Sequence, residues 1–376
     1  MMTETKICVS SRNLTLDLLK GIAILNIVFI HTIFWSGSTY NANDTLRQLS
    51  LIVDVSLFFF LSGWAANYQK NNIKIFTARI FKLYVQYIVM IIFMVIMLIA
   101  VFGHNVSSLP IAGYLSIDTN SNSYELPVIF GSLWFLKVFF IVYLLTPLLV
   151  WVSKNKQNSL FLLFGLLCLI SMSTFINNSI YNAPLFFTSL RYIIFYTFFY
   201  FAGIILYDNK ITLRQCISYI SGTLLIVSLY FVTSKETFNL QNNKFPPSLI
   251  YLLASIFSIV VALYAKNLEG FFKKCPRSVI VFLSFLGKNV YTVYLYQGFG
   301  ASILFLIIPK VYPIINNWAY MLILCYTINL MITLCLTFIF VHVNKKIFEI
   351  SDILFPKLIL GERGGTAGRL PPSGGG

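Results

Sequence analysis

Apolar stretches long enough to cross a bilayer recur from one end of this sequence to the other, at about 16–35, 49–66, 84–103, 128–152, 158–175, 189–207, 215–232, 247–265, 289–309 and 318–343. As α-helices, rising about 1.5 Å per residue, they match a hydrocarbon core about 30 Å thick. They are continuous rather than alternating, which argues against a β-barrel, and each helix satisfies its own backbone hydrogen bonds in lipid. The sequence therefore predicts an all-α fold, a polytopic integral membrane protein with about ten transmembrane helices. Hydrophobic residues make up 58% of the chain and charged residues 10%, more apolar surface than a water-soluble fold hides.

A net charge of +15 raises the question of nucleic acid, but the cations sort by connection as the positive-inside rule requires. Lys6, Arg12 and Lys20 precede or open the first span. Lys70, Lys74, Arg79 and Lys82 follow the second, and Lys154 and Lys156 follow the fourth. Lys210, Arg214, Lys266, Lys273, Lys274, Arg277, Lys288, Lys345, Lys346 and Lys357 fall on the same side. The opposite connections are poor in Lys and Arg; that from His104 to Pro127 has neither and carries Asp118 and Glu125. No nucleic-acid partner is expected, and both termini are expected in the cytoplasm.

The first apolar stretch lacks a small-residue cleavage site, so it reads as a retained span rather than a secretory signal. Six cysteines, with no CxxC spacing, imply neither a disulfide framework nor a metal site. Residues 1–345 read as one transmembrane domain and 346–376 as a cytoplasmic tail, whose GERGGTAGRLPPSGGG ending has the composition of a flexible linker. No internal repeat of the kind found in inverted-repeat transporters is evident.

Ionisable groups inside spans are the informative positions, because each is costly in lipid unless paired or hydrated. The first span reads RNLTLDLLKGIAILNIVFIHT. From Lys20 to His31 the helix turns about 1100°, returning to within roughly 20° of the same face, and Asp17 lies about 40° away. One stripe thus carries an anion, a cation, and an imidazole able to exchange a proton near neutral pH. A histidine bonded between helices is the plainer reading of His31.

Asp54, Lys137 and Arg191 are further charges in or at the edge of spans. Depth places Asp54 near His31, with an ion pair to Lys137 as the competing reading. Arg191 suits an anionic or sugar acceptor, or a side chain snorkelling to the interface. Lys74, Arg79 and Lys82 gather at the cytoplasmic mouth, where they fit either donor phosphates or the positive-inside rule alone. His104 and His342 read as interfacial.

Several stretches together carry a resemblance. LDLLKGIAILNIVFIH, with Lys20 eleven residues before His31, resembles an Arg-x10-His pattern with Lys in place of Arg. SLFFFLSGW at 56–64 resembles FFxxSG, and SLWFLKVFFIVYLLTPLL at 132–149 resembles LWFL…YL…PL. GKNVYTVYLYQ at 287–297 resembles GxxSYxxYLxH, with Val290 for Ser and Gln297 for His. Over most of residues 12–345 the chain resembles the membrane-bound acyltransferase-3 family, in the branch of fucose 4-O-acetylase-like proteins.

The resemblance implies an enzyme of the bacterial inner membrane. It would transfer an acyl group, acetyl first, from acyl-coenzyme A to a hydroxyl of a cell-surface or lipid-linked sugar. His31 would be the catalytic base, Lys20 its motif partner, and Arg79 a donor-phosphate contact flanked by Lys74 and Lys82. Asp17 and Asp54 join the catalytic candidates. Ser62, Trp134, Tyr291 and Tyr294 are candidate donors to a developing oxyanion, and Lys137 and Arg191 candidate acceptor contacts. Acetyl-CoA is then a donor substrate and no cofactor is bound permanently. The expected partners are donor, glycan acceptor and lipid, with a homodimer the oligomer to test for. The alternative, from a different class, is a transporter or flippase of lipid-linked sugar, which also needs many helices and a polar cavity.

Overall fold

The computed structural model describes residues 13–68, 73–117, 125–175, 184–185, 188–234, 239–272 and 274–354. Lys6, Arg12, Lys70, Asp118, Lys273, Lys357 and the Gly-rich ending lie outside them.

The described residues are almost wholly helical. In chain order they form α1 (Leu14–Trp35), α2 (Asp44–Ser50), α3 (Val55–Ala66), α4 (Ile73–Ala100), α5 (Ile111–Leu115), α6 (Pro127–Leu144), α7 (Thr146–Ser153) and α8 (Lys156–Phe175). After a minimal antiparallel pair, β1 (Pro184–Leu185) with β2 (Thr188–Ser189), come α9 (Leu190–Leu206), α10 (Leu213–Ser234), α11 (Leu240–Lys244), α12 (Leu249–Ala265), α13 (Glu269–Phe272), α14 (Arg277–Lys288), α15 (Val290–Ile315) and α16 (Trp318–Leu354). Nine membrane-length apolar segments stand among the described residues, with the 17-residue α9 as a shorter tenth. The chain is a multi-pass membrane protein.

Four departures from the simple span picture stand out. The second span is broken, α2 stopping at Ser50 and α3 starting at Val55. The fourth stops at Leu144 because Pro147 has no N–H to continue the ladder and its ring opposes the carbonyl four residues back. That carbonyl, of Tyr143, instead accepts from the Thr146 hydroxyl at 2.5 Å, and Thr146 also meets the Tyr200 hydroxyl at 2.7 Å. The third helix begins at Ile73, well before the apolar core of its span, because IKIFTARIFK continues the helix, with Lys74 exposed and Arg79 and Lys82 half-buried. α16 likewise runs on to Leu354, past the boundary expected at residue 345.

Close helix packing rests on small residues, as expected where lipid offers no hydrophobic drive between helices. α3 and α9 meet through reciprocal glycines: a Cβ on Gly63 would strike the Tyr200 carbonyl, and one on Gly203 the Phe60 carbonyl. α1 and α14 repeat the arrangement, Gly21 against Leu283 and Gly287 against the Asp17 carbonyl. α3, α6 and α12 are thereby largely buried with α1, whereas α8 and α10 present mostly exposed apolar faces.

Candidate active site

The break in the second span creates the polar centre. Leaving the helix for Leu51–Asp54 frees backbone carbonyls in an apolar interior, where an unsatisfied polar group costs several kcal/mol. Asn26 of α1 supplies the missing donor: its side-chain amide donates to the Ser50 carbonyl at 2.9 Å and also to that of Val53. Asp54 then begins α3, where the helix dipole favours an anion. One of its oxygens, Oδ2, meets the Lys244 ammonium at 2.5 Å and accepts from the Tyr251 hydroxyl at 2.9 Å. Both charges are nearly dry, with side chains 1% and 6% exposed.

Lys244 arrives from the connection between α10 and α12, whose described part, from Asn239 on, is tied down at several points. Asn239 caps α11 by accepting from the Asn242 N–H at 2.9 Å, and the Gln241 N–H donates to Gln48 Oε1 at 3.2 Å. Arg191 Nε donates to the Pro247 carbonyl at 3.1 Å. The ammonium also lies 5.7 Å from the Trp134 ring centroid and 5.0 Å from that of Phe245, an added cation–π attraction.

These pieces enclose a cavity of about 450 Å³ whose walls include His31, Trp134, Tyr294, Lys244, Arg47 and Gln48. It lies at the end of the bundle where α1 finishes and α6 starts. The buried His31 Nδ1 has no hydrogen-bond partner among the described residues. Tyr294 donates its hydroxyl to the Ser132 carbonyl at 2.6 Å. Arg47 pairs with Asp44 at 3.6 Å and stands over the Phe34 ring at 5.0 Å. Aromatic faces beside amides, an imidazole and cations suit a polyhydroxylated ligand.

The structure thus brings His31, Trp134 and Tyr294 to one cavity, with Asp54 behind its wall. The remaining candidates line other places. Asp17 and Lys20 sit toward the opposite end of α1, Asp17 buried and Lys20 half-buried. Ser62 is half-buried within α3, and Lys137 is buried on α6. Arg191 holds the connection before α12, and Tyr291 donates to the Leu83 carbonyl at 3.1 Å. Lys74, Arg79 and Lys82 occupy the first turns of α4, Lys82 over the Phe348 ring at 5.6 Å. His104 pairs with Glu125 at 3.0 Å, and His342 bonds to the Phe338 carbonyl in its own helix. Gln297 is fully buried, its amide without a partner among the described residues.

Sequence reasoning did not single out Lys244, Arg47, Gln48 or Gln241. Arg47 did carry a signal, as a cation on a connection otherwise without one, whereas Lys244 shares its connection with Lys235.

Residues 13–342 match the acyltransferase domain of the acyltransferase-3 type. The chain belongs to that family. The acyltransferase domain therefore spans every element from α1 into α16 and includes the broken span, the tethered connection and the cavity between them. No curated protein and no solved structure matches this acyltransferase.

Proposed function

We propose that this membrane acyltransferase moves an acyl group, acetyl in the simplest case, from acyl-coenzyme A to a hydroxyl of a cell-surface or lipid-linked sugar, with His31 as general base. One observation carries the reading: His31, with an unpartnered buried ring nitrogen, lines a cavity shared with Trp134, Tyr294, Gln48 and Gln241. A sugar hydroxyl is a poor nucleophile, and a base within hydrogen-bond reach accelerates its attack by about 10²–10⁴-fold. Aromatic faces and side-chain amides are the groups that hold a sugar ring by its apolar face and its hydroxyls.

The donor's phosphates are assigned to Arg79, Lys74 and Lys82 at the basic end of α4, and its thioester to the cavity. The acyl group would then travel along the α1 stripe, about 16 Å from Lys20 to His31. The positive-inside pattern supports a cavity on the outer side of a bacterial inner membrane, with the basic connections and both termini inside. Lys20 and Asp17 would act on the donor's path rather than on the acceptor.

Purified protein in lipid nanodiscs, given acetyl-CoA labelled in the acetyl group and a bacterial glycan extract, should label the glycan. His31→Ala should lower the rate by about 10²–10⁴-fold at unchanged thermal midpoint. Undiminished transfer by His31→Ala refutes the base assignment; sugar movement across the bilayer without acetyl-CoA consumption replaces the reading with transport.

A further inference from the structure

We propose that Lys244 is a catalytic residue of the acyl transfer, its ammonium donating to the thioester carbonyl oxygen as negative charge gathers there. This rests on the acyl-transfer reading above. Attack on a thioester places charge on an oxygen, and a preorganised donor in a water-poor site is the device that stabilises it. Two hydroxyls that the sequence offers as oxyanion donors are engaged elsewhere. The Tyr294 hydroxyl is directed to the Ser132 carbonyl and that of Tyr291, outside the cavity, to the Leu83 carbonyl, while Arg47 is drawn at 3.6 Å to the exposed Asp44, its Nε without a partner among the described residues.

Lys244 differs from these. It shares the cavity wall with His31, and among the described residues its ammonium has a single hydrogen-bonding partner, Asp54. An ammonium has three N–H donors, so others remain for a ligand. Asp54 fixes the cation from behind, at the start of α3 and braced by Tyr251. The Trp134 and Phe245 rings flank it. A cation held on its far side and free on its cavity side is organised before the charge it meets has formed.

The step balances with no further reactant. The acceptor hydroxyl oxygen bonds to the thioester carbonyl carbon as His31 takes the hydroxyl proton, and the carbonyl π pair moves to the oxygen facing Lys244. Collapse restores the carbonyl and breaks the carbon–sulfur bond, whose electron pair leaves with sulfur. The proton passes from His31 to sulfur, giving an O-acyl ester and the thiol of coenzyme A. Lys244 and Asp54 exchange no proton.

Lys244→Met alone would strand a buried carboxylate, so the decisive variant is Lys244→Met with Asp54→Leu, which removes both charges and keeps the volume apolar. Steady-state transfer from labelled acetyl-CoA to the glycan extract is measured in nanodiscs for wild type, this double variant and Lys244→Arg, with thermal midpoints. The expected result is a kcat at least 100-fold lower in the double variant, a KM for acetyl-CoA within threefold of wild type and a retained midpoint, with Lys244→Arg keeping a tenth or more of kcat. A double variant within threefold of wild-type kcat overturns the assignment, as does a loss of kcat that only follows a fallen midpoint. A wild type that consumes no acetyl-CoA overturns the acyl-transfer reading and this role with it.

Discussion

Asn26 shows how much one side chain can carry in a lipid-embedded bundle. Its amide serves both the Ser50 and the Val53 carbonyl at the break between α2 and α3, and removing it takes the side-chain donor from both acceptors. Asn26→Leu is expected to lower stability by about 2–4 kcal/mol, at roughly 1–3 kcal/mol per stranded group with partial relaxation. Thermal unfolding in detergent measures this, and an unchanged midpoint would show the carbonyls have other donors. His31, Trp134 and Tyr294 were readable from the sequence because each sits in an apolar span where a polar or amphipathic group stands out. Lys244 was not, because QNNKFPP reads as an ordinary hydrophilic connection and only the fold draws it inward to Asp54. The pairing of Asp54 was out of reach for the same reason: its partner is remote in sequence and carries no spacing signal.

Among elements, the α3–α9 contact is the tightest test of the packing. The glycines at 63 and 203 let the two backbones touch, and α3 carries Asp54 at its start. Gly63→Ala puts a methyl into the Tyr200 carbonyl and forces the helices apart, a cost of about 1–3 kcal/mol or more by the scale of overpacked cores. Gly165→Ala on α8 meets nothing within 4 Å and should stabilise by about 0.5–1 kcal/mol through helix propensity. Opposite shifts of the two thermal midpoints are expected; equal shifts would mean that close approach does not govern this interface. Helix existence was legible from apolar length, and helix interruption was not. Pro147 was visible inside the fourth span, but prolines also stand inside α15 at 309 and 313 without ending it. At the second span neither a proline nor a glycine marks Leu51–Asp54.

At the scale of the molecule, the orientation proposed above rests on the separation of basic connections from the cavity end. In a background with all cysteines replaced, Ser38→Cys, between α1 and α2, should react with a membrane-impermeant maleimide added to intact spheroplasts. Lys154→Cys, after α7, should react only once the membrane is opened. Both positions are exposed, so a reversed labelling pattern would invert the topology and turn the cavity toward the cytoplasm. The positive-inside pattern and the family resemblance were both legible in the sequence; the cavity was not, since it joins residues from α1, α2, α3, α6, α11 and α15.

The interrupted second span also constrains how the protein is made. A segment whose backbone turns polar halfway through cannot enter hydrocarbon by itself, because the donor for its carbonyls belongs to the preceding helix. The first two spans must therefore leave the insertion machinery side by side. Asp54 waits longer, since Tyr251 follows it by 197 residues and Lys244 is only slightly nearer. At about 5–20 residues per second, that is on the order of 10–40 s of translation. Throughout that interval the nascent chain must keep a carboxylate wet or chaperoned inside a half-built bundle.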